Sequence, residues 1–142
     1  MPPADAELAA ILTGARTIAV VGLSEKPERD SNEVARYLQA QGYRIVPVNP
    51  AQAAVLGERS YPTLAAIPPD VRVDLALVFR KNEAVPEVVD AAIARGIPTV
   101  WMTLGVEHAA AAATARQHGL RVVEDTCAMA LHRRLHLPPV GR

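Results

Sequence analysis

The chain has a single cysteine, Cys127, in 142 residues. One cysteine excludes an intramolecular disulfide framework and any zinc site built on cysteine pairs. Aromatic residues are scarce at 4%, so the core must be built from Val, Ile, Leu and Ala. Neither sign of charge is in excess, because fifteen Lys and Arg balance fifteen Asp and Glu. That balance leaves no basic field for duplex nucleic acid or an anionic membrane surface. No stretch approaches the ~20 consecutive apolar residues of a membrane-spanning helix. The opening MPPADAELAAIL has neither a basic flank nor a long apolar centre, so it is not expected to be a signal peptide. A soluble, cytoplasmic protein is expected, with no nucleic-acid or membrane partner; no protein partner is named by the sequence.

What is present is alternation. TIAVV (17–21), YRIVPV (43–48), VDLALVF (73–79), PTVWM (98–102) and LRVVE (120–124) are short apolar runs without polar alternation. Such runs are strands buried on both faces, as in a parallel sheet. Helical patterns lie between them. Val34, Tyr37 and Leu38 share a face in a helix that begins near Ser31 and closes at Gly42. Val85, Val88, Val89, Ala92 and Ile93 repeat at helical spacing until Gly96. An alanine-rich helix fills 107–118, a short one 5–12, and a last one runs from a Thr126 cap to about Leu135. Residues 50–72 are rich in proline and hold at most a short helix at 63–66. The expected fold is α/β: a doubly wound parallel sheet of five strands in the order 3-2-1-4-5, with helices on both faces. The length suits one domain, 1–142, with a core at about 17–135.

In such a sheet, ligands sit beyond the carboxyl ends of the strands at a topological switch point, here expected between strands 1 and 4. GLSEKPERDSN after strand 1 has only one glycine, Gly22. It still offers Ser24, Ser31 and Asn32 near a helix start, with Lys26 and Arg29 as cations. Free N–H groups at a helix start favour phosphate, and an arginine can fork onto one. Asp30 or Ser31 would cap that helix, and Asp30 with Glu33 has the spacing of a capping box.

The glycine pattern G-x-G-x-x-G of NAD sites is missing, and so is the acid that bonds the adenosine ribose. The second strand ends in PVNP, which puts Asn49 where that acid would stand. Without the acid, a phosphorylated adenosine is tolerated, and both NADP and coenzyme A qualify. An NADP-linked oxidoreductase and a non-catalytic subunit of an acyl-CoA ligase are therefore alternatives to a CoA-binding protein.

The combination of G-x-S-x-x-P-x-R-x-S, P-V-N-P, V-F-R and D-x-C-x-x-x-x-H, spread over 17–135, resembles the small stand-alone CoA-binding domain proteins. These are similar to the CoA-binding domain of the succinyl-CoA synthetase α subunit. The resemblance implies a Rossmann-like domain that holds CoA or an acyl-CoA, with no catalysis of its own. It implies that Gly22, Leu23, Ser24, Arg29, Ser31 and Asn32 meet phosphates and that Asn49 and Pro50 lie by the adenosine. Phe79, Arg80 and Val85 would line the adenine and pantetheine side, and Thr103 to Gly105 would face the pantetheine arm. Thr103 stands where relatives often carry glutamine.

Other residues attract chemistry less. Cys127 and His132 are five apart, which on a helix turns them away from each other, and a lone cysteine is usually a small buried hydrophobe. His132 and His136 are spaced like metal ligands but have no carboxylate near them, so they are expected at the surface. No metal site and no catalytic residue is assigned.

Overall fold

A computed structural model describes residues 3–141. In chain order the elements are α1 (Asp5–Gly14), β1 (Thr17–Val21), α2 (Asp30–Ala40), β2 (Arg44–Val48), β3 (Leu75–Val78), α3 (Val85–Arg95), β4 (Thr99–Met102), α4 (Ala109–Gln117), β5 (Arg121–Val123) and α5 (Ala128–Arg134). The segment between β2 and β3 holds a minimal hairpin, Ala54–Val55 against Glu58–Arg59, and a 3-10 turn at Leu64–Ala66.

The five main strands form one parallel sheet, and the α/β doubly wound architecture is as expected. The order is not: it is β2-β1-β3-β4-β5, where 3-2-1-4-5 was expected. Pro47 supplies the physical reason. A proline has no N–H to give to a ladder and belongs in an edge strand. The outer edge of β2 meets only a strip of the crossover, where Tyr61 N donates to Pro47 O at 3.0 Å and Asn49 N donates to Tyr61 O at 2.9 Å. The third strand therefore crosses to the far side of β1 and pairs Ile18 with Leu75 and Val21 with Val78. The switch point moves with it, from between strands 1 and 4 to between β1 and β3.

Successive strand residues point to opposite faces, and both faces are covered. Ile18, Val20, Leu75, Leu77 and Trp101 pack under α1, α2 and α5. Ala19, Val21, Ala76, Val78 and Val100 pack under α3, α4 and the 3-10 turn. Full burial of a Val, Leu or Ile side chain contributes roughly 1.5–3 kcal/mol, which is how a core poor in aromatics holds the sheet. The α4 helix faces the sheet with Ala111, Ala112 and Ala115, small enough to let it lie close.

Two helix starts differ from expectation. The N-cap of α2 is Arg29, and no side chain caps it. Ser31 is drawn into the preceding loop instead. At α5 the N-cap is Cys127 rather than Thr126, with its sulfur 3.5 Å from Ala130 N.

His132 is not at the surface. It is 1% exposed, between Tyr37 and Tyr43, with Tyr37 Oη 2.7 Å from Nδ1. Tyr43 donates to the Leu12 carbonyl, and burial raises its phenol pKa to about 12. Nε2 of His132 has no hydrogen-bond partner. Burial pushes the imidazole below its ordinary 6.5, and the nearby Pro138 carbonyl offsets this only in part. The unfolded chain then binds the proton more tightly than the folded one. The His132 contribution is complete above about pH 6.5 and is lost as pH falls through that value towards the lower folded one. Thermal melts between pH 8 and 5 should show a falling Tm, and His132→Phe should flatten that slope. An unchanged slope in the variant would remove His132 as the cause.

Candidate functional site

At the carboxyl ends of β1 and β3, an open cleft of about 520 Å³ is lined by Gly22, Ser24, Lys26, Glu28, Arg29, Asp30, Ser31 and Phe79. A larger groove, about 720 Å³, lies at the opposite end of the sheet, where Arg72, Val73 and Pro98 lead into β3 and β4. Its one half-buried cation, Arg95, donates to the carbonyls of Leu64, Ile67, Pro68 and Val71. That guanidinium is committed to pinning the crossover. The smaller cleft is the better candidate because it lies at the switch point and has cations to spare.

Gly22 opens the cleft. Its N–H donates to Val48 O and the preceding carbonyl, Val21 O, accepts from Phe79 N, both at 2.8 Å. The backbone thus touches both neighbouring strands as it leaves the sheet. Gly22 has φ +89, and a Cβ there would stand 2.3 Å from Phe79 O and 3.2 Å from Arg80 Cδ. The Arg80 stem therefore lies across the glycine.

Beyond Gly22 the loop is held by side chains behind it. Ser24 N donates to Ser31 Oγ at 3.0 Å. Asn32 Nδ2 donates to Ser24 O at 2.8 Å, and Asn49 Nδ2 donates to Leu23 O at 2.9 Å. Asn49 Oδ1 also accepts from Ala51 N. Ser31 and Asn32 are buried, at 6% and 2% exposure. By contrast the side chains of Lys26, Arg29 and Arg80 make no hydrogen bond or ion pair among the described residues, and all three are exposed. The first N–H groups of α2, at Asp30 and Ser31, point out of the helix without an intrahelical acceptor.

The structure brings Gly22, Ser24, Arg29, Ser31 and Phe79 to one cleft, with Arg80 over its floor. Asn32 and Asn49 stand behind the loop, and Leu23 is fully buried beneath it. Pro50 follows Asn49 at the exposed outer edge. Val85 is fully buried at the start of α3. Thr103 and Gly105 lie beyond the end of β4 and do not line this cleft. Thr103 N donates to Val78 O at 3.2 Å, and Gly105 N donates to Asp125 Oδ1 at 2.6 Å.

Sequence reasoning left two contacts unread. Asp125, at φ +51, ties the loop after β4 to the loop after β5, a contact that only sheet order reveals. Arg36 donates from Nε to Asn32 Oδ1 at 2.7 Å and from Nη2 to Pro27 O at 3.0 Å. Its signal was the i, i+4 spacing to Asn32. Cys127 and His132 do not form a pair, since His132 Nδ1 faces Tyr37. No group of three or more His, Cys, Asp or Glu gathers to hold a metal, and no helix is long and apolar enough to cross a membrane, among the described residues.

An open parallel sheet, a single-glycine turn at its switch point and free cations on the following loop define a Rossmann-like domain with a candidate small-molecule site. The match is specific: residues 16–133 fit the model of the CoA binding domain family, and the chain belongs to that family. It is 35% identical to an uncharacterized Bacillus subtilis protein, YneT, over 92% of this chain and 95% of that one. A hypothetical protein of Pyrococcus horikoshii superposes with a TM-score of 0.91 at 37% identity, over 96% of each chain. A Thermus thermophilus structure gives 0.85 at 35% identity, covering 94% of this chain and 99% of that one.

Proposed function

We propose that this chain binds coenzyme A or an acyl-CoA in the cleft between β1 and β3 and has no catalytic activity of its own. The observation that carries this reading is the loop after Gly22. Its backbone is held from behind by the buried Ser31 and Asn32 and the half-buried Asn49, while Lys26, Arg29, Arg80 and the N–H groups of Asp30 and Ser31 are left free for phosphate. In this reading Arg29 and Lys26 meet phosphate by charge, Gly22 and Ser24 by close backbone approach, and Leu23 anchors the turn from below. Ser31, Asn32 and Asn49 act through the shape they impose on the loop. Asn49 and Pro50 lie on the adenosine side without an acid to repel a ribose phosphate. Phe79 and Arg80 form the wall towards the adenine and pantetheine with the buried Val85 packed behind it, and Thr103 to Gly105 lie along the arm. A cytoplasmic location fits the single free thiol, Cys127.

Isothermal titration decides it. CoA should bind, dephospho-CoA should bind more weakly, and NADPH should give no fluorescence change. No heat with CoA would end the proposal. NADPH binding more tightly than CoA would favour the oxidoreductase reading instead.

A further inference from the structure

The loop between Gly22 and α2 is held from behind in a way that the cleft residues do not explain. Four of its carbonyls are taken: Leu23 O by Asn49, Ser24 O by Asn32, Lys26 O by Arg29 N and Pro27 O by Arg36. A carbonyl turned into the cleft would set its negative end against a phosphate. The N–H groups of Ser24 and Lys26 are also taken, by Ser31 Oγ and Ser24 Oγ, so the loop is closed on itself and the N–H groups without an intrahelical acceptor are those of Asp30 and Ser31 at the start of α2.

Two of these four bonds depend on one guanidinium. Arg36 sits in the second turn of α2, away from the residues that line the cleft. Nη2 holds Pro27 O directly. Nε holds Asn32 Oδ1, and this fixes the amide so that Nδ2 points at Ser24 O. Asn32 is 2% exposed, and an amide buried so deeply is costly to leave half-paired. Two donors at a fixed angle suit the planar guanidinium and not an ammonium.

We propose that Arg36 is a positioning residue: it clamps the loop at Ser24 and Pro27 against the start of α2 and so presets Lys26 and the N–H groups of Asp30 and Ser31 for a phosphate, without touching the ligand. The inference rests on the CoA reading given above. Its core, the clamp, is also testable without ligand.

The test uses the full chain and the variants Arg36→Met, Arg36→Lys, Asn32→Ala and the double variant Asn32→Ala/Arg36→Met. Charge-assisted hydrogen bonds of this kind make a loss of about tenfold in CoA affinity the expectation for Arg36→Met, with a Tm lower by roughly a few degrees because Asn32 Oδ1 is left unpaired. Arg36→Lys should recover part of it. The double variant should lose less than the sum of the two single losses, because the Asn32 link is shared while the Pro27 bond is Arg36's own. The salt dependence of CoA binding should match wild type, because a group that does not touch the ligand leaves the ligand's own ion contacts intact. Unchanged affinity in Arg36→Met, additive losses, or a shallower salt dependence would each overturn the inference; the last would make Arg36 a direct contact. Amide hydrogen exchange of the ligand-free protein separates this from failure of the CoA reading. Arg36→Met should speed exchange at the Ser24 and Lys26 amides and leave β1 protected. Unchanged exchange refutes the clamp even if CoA binds; faster exchange with no CoA binding by wild type supports the clamp and refutes the ligand.

Discussion

Gly22→Ala should abolish CoA binding and lower Tm by on the order of 10 °C. Two costs combine at this position. The backbone has φ +89, a region that side chains rarely adopt, and the new Cβ would lie 2.3 Å from Phe79 O and 3.1 Å from Phe79 C. Those atoms are backbone and cannot rotate away. The loop from Phe79 must shift, and with it the pairing of Phe79 N with Val21 O. Conformational strain of this kind costs about 1–3 kcal/mol, and overpacking adds about 1–3 kcal/mol more. Gly57 is the control. It has φ +77 in the exposed hairpin turn, yet nothing lies within 4 Å of a Cβ there, so Gly57→Ala should carry only the strain and leave binding intact. Thermal melts and CoA titration of both variants check this; equal losses at the two sites would show that close approach at Gly22 is not the cause.

Trp101→Ala should destabilise the chain by about 3–5 kcal/mol. Trp101 is fully buried, the only tryptophan of a core with few aromatics. It fills the face under α1, α2 and α5, and Nε1 donates to Thr126 O at 2.8 Å. Truncation leaves both a cavity and an unpaired carbonyl. The same region fixes the end of β4, since Thr126 N donates to Met102 O, so the loop at Thr103 to Gly105 should loosen as well. Urea unfolding followed by circular dichroism measures the loss. A change under about 1 kcal/mol would mean that the site collapses around the cavity and that the indole is not a keystone.

The strands were legible because each is buried on both faces and reads as an unbroken apolar run. Their order was less so, although the clue was present. Pro47 within YRIVPV argues for an edge, and an order with strand 2 in the interior ignored it. The candidate loop was visible as a serine, asparagine and arginine cluster following one glycine. Its division of labour was not, because Ser31, Asn32 and Asn49 read the same whether they face a ligand or a backbone carbonyl. Capping by Ser31 failed for a related reason: Ser31 Oγ accepts from Ser24 N, seven residues back, a partner outside the local pattern that capping rules use. The tie between Asp125 and Gly105 depends on β4 and β5 being neighbours and has no local signal.

The position of β1 between β2 and β3 also bears on how the chain is made. β2 follows β1 closely, but the β3 side waits: Thr17 N–H meets the Asp74 carboxylate 57 residues further along. At a synthesis rate of ~5–20 residues per second, TIAVV spends several seconds with one row of backbone groups unpaired. An apolar strand with an open edge is a template for pairing with other chains. An interior strand of the finished sheet is thus an open edge of the growing one until β3 is made.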